Sequence, residues 1–272
     1  MQSTSELHKD LLAKNPTVET TIAIGEAGTL IDKAGNGITF GGFRILVDSG
    51  GPDSGYDDSL IINISTDGQA FPDDNPAIGT AQIGTIEVDM FAPAGNIPKA
   101  GKLCPYARLR DEDVHSEWIQ QGVYYIDERE NTDEDGIKRI SLTGYDAMRF
   151  AEQPYPNSYI DWPAVDVQVV KEIAAAIGVG IDQRTLDVMT SAFKVPYPAN
   201  YSCRETLGHI AAMYVGNFVM SSIGELLLVP LFGLPKETRA LKTDNVWRCW
   251  YSCLANRMLA VKSLANLRPT TR

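Results

Sequence analysis

Apolar and polar residues alternate through much of the first 150 residues, which is the period of half-buried strands. Ile86, Val88 and Met90 set the alternation within Ile83–Phe91. The same signal predicts strands over Thr20–Ile24, Ile38–Phe40, Phe43–Val47, Leu60–Ser65 and Lys102–Leu109. Turn-forming clusters at Gly35–Gly37, Gly50–Gly55 and Phe71–Pro76 separate them. Pro105 lacks a backbone donor and points to an edge position for its strand. Glu117–Phe150 reads as one long hairpin. Its strands are Gly122–Asp127 and Lys138–Thr143, its loop is the polar run Asn131–Gly136, and Tyr145–Phe150 forms a short helical turn after the second strand.

Helical spacing flanks this region. Leu7, Leu11 and Leu12 share a face of a short helix over Ser3–Lys14, stopped by Pro16. Such an arm either folds back on its own domain or docks on a neighbouring subunit. After the stiff Gln153–Asn157 linker, Val169, Val170, Ile173, Ala176 and Ile177 define a helix face, with Asp166 as N-cap and Gly178 as C-cap. Ser202 and Glu205 have the spacing of a capping box. They open a second helix through Leu207, Ile210, Ala211 and Tyr214, closed at Gly216. Asn217–Met220 and Glu225–Val229 then make a hairpin about Ile223 and Gly224. Trp247, Trp250, Leu254, Met258, Val261 and Leu264 again follow helical spacing, in a segment with no acid after Asp244. A C-terminal helix or a basic tail fits that segment.

The fold class expected is therefore α+β. Its parts are a helical arm (1–16), a β-rich barrel or sandwich (17–152), a small α/β domain of two helices and a hairpin (160–232), and a C-terminal segment (233–272).

The charge balance changes what such a fold is expected to touch. The 272 residues carry a net charge of −11, which disfavours a surface built to grip phosphates. No apolar run is long enough for a membrane span, and the polar N-terminus lacks a secretory core, so synthesis in a cytoplasm is expected. Cys104, Cys203, Cys249 and Cys253 form no CxxC pair, and reduced apolar cysteines are expected.

Candidate chemistry is sparse. There is no GxSxG elbow, Walker A loop or HExxH. Gly178-Val179-Gly180 begins like a dinucleotide loop, but it follows a helix and has Gln183 where a third glycine belongs. Asn131, Asp133, Asp135 and Gly136 imitate half a calcium loop, yet Leu142 stands where the bidentate Glu should be. The pairs Asp57/Asp58 and Asp73/Asp74 are read as solvated acids ahead of hydrolytic ones. His115 is assigned to the surface and His209 to the core. No catalytic, cofactor or metal residue is nominated, and a non-enzymatic chain is expected.

Two runs within the hairpin carry a family resemblance. Trp118-Ile119 followed by Gly122, Tyr124, Tyr125, Ile126 and Asp127 resembles a region of bacteriophage tail hub proteins, the baseplate or tail-tip hubs of long-tailed phages. Leu142-Thr143-Gly144-Tyr145-Asp146-Ala147-Met148 resembles the end of the family's next strand. Ile97–Leu109 and Arg204–Phe218 fit further stretches, so the resemblance covers roughly residues 15 to 232. The family's usual second tube domain after the insert is not evident in 233–272.

The resemblance implies a β-barrel tube domain in a homotrimeric ring at the end of the tail tube, within the virion tail. Its partners would be tail tube, distal tail and spike or fibre proteins, with DNA passing through unbound. Asp57, Asp58, Asp73, Asp74, Asp133, Glu134 and Asp135 are nominated as lumen acids. Two alternatives come from other classes. One is a receptor- or carbohydrate-binding module, suggested by Tyr155, Tyr159, Trp162, Tyr197 and Tyr201. The other is a tail-associated cell-wall hydrolase.

Overall fold

The computed structural model describes residues 4–26, 39–40, 43–44, 52–71, 77–93, 97–158, 160–191 and 193–231. In chain order these form α1 (Glu6–Leu12), β1 (Thr17–Glu26), β2 (Thr39–Phe40), β3 (Phe43–Arg44), β4 (Tyr56–Asp57), β5 (Ile61–Asp67), β6 (Thr85–Phe91) and β7 (Gly101–Asp111). Then follow β8 (Val114–His115), β9 (Ile119–Gln120), β10 (Tyr124–Glu134), β11 (Ile137–Asp146), β12 (Ala164–Val165) and α2 (Asp166–Ile177). Last come α3 (Gln183–Val188), β13 (Lys194–Val195), α4 (Cys203–Met213), β14 (Gly216–Met220) and β15 (Leu226–Pro230). Residues 1–71 and 78–232 make one compact unit. The other unit, Pro72–Ala77 with Gly233–Arg272, falls almost entirely outside the described residues, and the expected C-terminal helix with it.

Among the described residues, nine strands form one antiparallel sheet in the order β4-β1-β7-β10-β11-β6-β5, with β8 and β9 also on β7. The alternation sorts side chains as predicted: β6 buries Ile86, Val88 and Met90 and exposes Glu87, Asp89 and Phe91. The two ends of the sheet, β4 and β5, are consecutive in sequence. Asp57 and Ile61 are four residue steps apart, at most roughly 14 Å of chain. The sheet must therefore roll, and one apolar core takes Ile22 and Tyr56 from one end together with Ile61 and Ile64 from the other. No ladder joins β4 to β5 among the described residues. Among the described residues, the expected barrel or sandwich is thus an open rolled sheet whose seam is spanned by the link between β4 and β5.

Two local readings need correcting. β7 is interior, not an edge: β1 pairs with it from Gly101 to Arg110. Pro105 is tolerated there for a specific reason. Its carbonyl accepts from Gln121 on the side away from β1, so its missing N–H faces that side too. On that side the β10 ladder stops at Leu103 and β9 begins at Tyr106, leaving a gap at Pro105. The polar run Asn131–Gly136 is mostly strand. β10 and β11 stay paired up to Glu134 and Ile137, and only Asp135 and Gly136 turn, with φ of 53° and 81°. Two positive-φ residues give the tight turn whose twist matches a hairpin, and glycine takes the second at no steric cost.

The second half packs around its own core. α2 buries Val169, Val170, Ile173, Ala174 and Ile177, while Ala176 is exposed. Val165 is the N-cap, and the buried Asp166 is the first helical residue, accepting from the Tyr214 hydroxyl. Gly178 closes α2 at φ 75°, as its position predicts. The Ser202–Glu205 capping box opens α4. The short α3, capped by Asp182, has no periodic signal long enough to reveal it. Thr80–Gln82 pairs alongside Phe218 of β14, and Gly180–Asp182 pairs with Leu226 of β15. This core also takes Ala81, Met148, Ala151 and Tyr155 from the chain before α2.

The arm α1 folds back on its own chain. Leu11 is buried, but Leu7 and Leu12 stay exposed, so the predicted apolar face is only partly covered. Ser5 donates through N (2.7 Å) and Oγ (2.6 Å) to Glu117, and His8 Nδ1 meets Ser116 Oγ at 3.2 Å. The Ser5 hydrogen bonds lower the Glu117 carboxyl from 4.5 to about 2. A depressed folded pKa stabilises above the unfolded value and is lost as pH falls through about 2. Glu117→Ala is therefore expected to speed amide exchange across Glu6–Leu12 at pH 7, and wild type is expected to follow only as pH falls below the ordinary carboxylate range. Exchange in α1 unchanged by the substitution would remove this latch.

Candidate functional site

Six of the nine residues nominated in the hairpin come together as cross-strand pairs. Tyr124 faces Asp146, Tyr125 faces Tyr145, and Ile126 faces Gly144. Ile126 lies in the core of the rolled sheet. Tyr124 is buried, and burial first, then the charge of Asp146, raises its hydroxyl to about 12. At Gly122 a Cβ would stand 2.4 Å from the Tyr124 ring. At Gly144 it would stand 2.8 Å from the Tyr125 carbonyl oxygen and 3.1 Å from Ile86, so this interior position accepts only hydrogen.

Asp127 occupies the irregularity where the register shifts between Ile126 and Glu128. Its carboxylate meets Arg149 at 2.8 Å, and Arg149 lies over the Tyr145 ring at 4.6 Å. Tyr125 packs edge-on against Phe150, with ring centres 5.0 Å apart. Trp118 sits apart from this cluster. Arg108 covers its ring at 4.3 Å and is itself held to Glu19 at 2.6 Å. Burial opposes ionisation of Glu19, but hydrogen bonds from Arg108 and Arg110 outweigh it and keep its carboxyl below the usual range.

Asp146 is the hinge of the cluster. It is the last residue of β11 and not part of the helical turn expected there. That turn is a 3-10 segment over Ala147–Glu152, with Asp146 as its N-cap. The carboxyl accepts from Met148 N (3.0 Å) and from Gly84 N (2.8 Å), just before β6. Burial pushes its pKa up from 3.8 to about 7 despite those two bonds. The 3-10 turn delivers Met148 and Ala151 into the second core. These residues join the rolled sheet to the helical half; they assemble no nucleophile with a base.

The nominated lumen acids fall in two places. Asp57 accepts from Ser59 N (3.0 Å) and Oγ (2.5 Å), which lowers its pKa. Asp58 accepts from Thr20 N at 3.2 Å. Both therefore help to hold the β4–β5 link. Asp133 and Asp135 are exposed at the tip of the β10–β11 hairpin. Glu134 pairs there through its main chain; its side chain, and Asp73 and Asp74, lie outside the described residues.

Other candidates resolve simply. His115 lies 3.3 Å from Glu19. His209 is exposed against the Tyr201 ring, not in the core, because it falls on the outer face of α4. Tyr155, Trp162 and Tyr197 form an edge-on cluster with Tyr155 buried, and Tyr201 packs elsewhere. Tyr159 lies outside the described residues, as do Cys249 and Cys253. Cys104 and Cys203 are buried, and burial raises the Cys203 thiol to about 11. Among the described residues, no three His, Cys, Asp or Glu side chains group to hold a metal ion, and no helix is long and apolar enough to cross a membrane.

No protein-family model matches the chain, and no curated protein matches it. Among solved structures it is similar to the 43 kDa tail protein of prophage MuSo2 from Shewanella oneidensis. There the TM-score is 0.45 at 12% identity, over 79% of this chain and 56% of that one. It is also similar to the tail protein from Neisseria meningitidis MC58, with a TM-score of 0.43 at 10% identity, over 78% of this chain and 51% of that one. The chain thus spans about half the length of both proteins.

Proposed function

We propose that this chain is a structural subunit of a phage or prophage tail, acting in the hub at the tail tip. One observation carries the reading. Three residues of one signature that resembles tail hubs, Tyr124, Tyr125 and Ile126, pair across β10 and β11 with three of the other, Asp146, Tyr145 and Gly144. In this reading the rolled sheet forms part of the wall of a homotrimeric ring, with tail tube, distal tail and spike or fibre proteins as neighbours. The net charge of −11 gives the wall its physical role: carboxylates repel DNA phosphates, and the genome passes without sticking. The reading assigns the chain no catalytic step.

Light scattering over a range of concentrations tests the ring. The expected mass is three times the 29.8 kDa of one chain. A monomer at every concentration would remove the self-assembling ring. Asp133→Lys with Asp135→Lys is expected to slow DNA ejection from virions carrying the variant, and unchanged ejection kinetics would remove the tip acids from the lumen.

A further inference from the structure

Tyr124 and Asp146 also line a cavity of about 230 Å3 between the rolled sheet and the end of β14. Thr66, Gln69, Gln121 and Ser221 complete its polar wall, and no Lys or Arg is among its lining residues. Thr66, Gln69 and Gln121 are exposed, so the cavity opens to solvent. Its wall is rich in acceptors. Gln121 gives one of its two amide N–H groups to the Ile119 carbonyl, and its amide oxygen remains as an acceptor. The Ser221 hydroxyl oxygen accepts from Glu225 N and the Thr66 and Tyr124 hydroxyls bond each other, and each oxygen keeps a second lone pair for a further donor.

We infer that this cavity binds a primary ammonium group, either on a free amine or on the lysine side chain of a partner protein. An ammonium brings three donors and no acceptor, which matches a wall of one carboxyl with amide and hydroxyl oxygens. It also brings the charge that the site lacks. The groups facing Asp146 are the Gly84 and Met148 amides, the Tyr124 hydroxyl on β10 and, from α4, Arg204. Asp67 on β5 adds a further negative charge near Tyr124. Arg204 is engaged elsewhere, with the Ala81 carbonyl at 2.8 Å and with Glu152. Asp146 therefore has no cation in contact, and burial holds its pKa at about 7. A bound ammonium would expel that proton. With the free carboxyl half ionised near pH 7, affinity should rise about tenfold from pH 6 to pH 8. The inference does not rest on the tail reading.

Saturation-transfer NMR on the full chain tests it with three probes: n-butylammonium chloride, 1-butanol, and lysine blocked at its α-amine and carboxyl. Both amines are expected to bind saturably and about tenfold tighter at pH 8 than at pH 6, with no saturable binding of 1-butanol. Blocked lysine binding as well as butylammonium points to a partner's side chain; butylammonium alone points to a free amine. Asp146→Asn is expected to weaken binding at least tenfold. Gln69→Lys, at an exposed position, is expected to fill the site from within and block both amines even if the Asn variant folds poorly. Equal binding of 1-butanol, no pH dependence, or no amine binding to wild type would each overturn the inference.

Discussion

Asp146→Ala is expected to lower stability by roughly 3 kcal/mol near pH 4–5, because it orphans two buried N–H groups at about 1–3 kcal/mol each. The loss combines two functions in one side chain: capping the 3-10 turn and tying the start of β6 to the end of β11. The pH dependence is a sharper test than the loss itself. The folded pKa of about 7 lies above the unfolded 3.8, so the folded chain holds an extra proton between them. Stability from this group is present below about 3.8 and is lost as pH rises through about 7. The difference between those two values is worth on the order of 4 kcal/mol. The gap between wild type and variant should therefore narrow or close by pH 8. Denaturant titrations at pH 5 and pH 8 measure both gaps, and equal gaps would refute the buried-acid account. Asp146→Asn, uncharged throughout, should lose the wild-type slope.

Phe218→Ala is expected to cost about 4 kcal/mol and to lower Tm by about 10 °C. The ring is fully buried at the centre of the second core. Its backbone is fixed on both sides, to Thr80 and Gln82 on one and to Leu228 on the other, so the site has little freedom to collapse around the cavity. Phe91, whose side chain is exposed on β6, is the control: Phe91→Ala should change stability by no more than about 0.5 kcal/mol. Equal losses at the two positions in calorimetry would mean that the second core is not packed as described.

The candidate cluster is legible in part. The sequence singles out Tyr124, Tyr125, Ile126, Gly144, Tyr145 and Asp146, and it predicts a hairpin there, but it ends the second strand at Thr143, whereas β11 runs on to Asp146 and pairs the last three with the first three. It does not show their division of labour. No pattern in sequence says that Asp146 reaches Gly84, 62 positions away, or that Arg149 joins Asp127 to Tyr145. Asp57 and Asp58 read as a pair of solvated acids, because the partners that use them, Ser59 and Thr20, are chosen by the link geometry.

By itself the sequence determined what local physics determines. Alternation set the inward residues of β6, the Ser202–Glu205 pair set the start of α4, and Gly178 set the end of α2. Each depends on side-chain period or on backbone groups within a few residues. Only the tertiary structure decided which strands lie inside the sheet, how far the hairpin ladder runs, and whether the sheet closes. Pro105 shows the reason. Its missing donor is a local fact, but whether that matters depends on what lies beside it, and here a gap between two distant segments does. Asn131–Gly136 shows the converse. Polar residues predict a loop when no partner is known, yet pairing of Asn131–Glu134 with Ile137–Ile140 satisfies their backbone whatever their side chains.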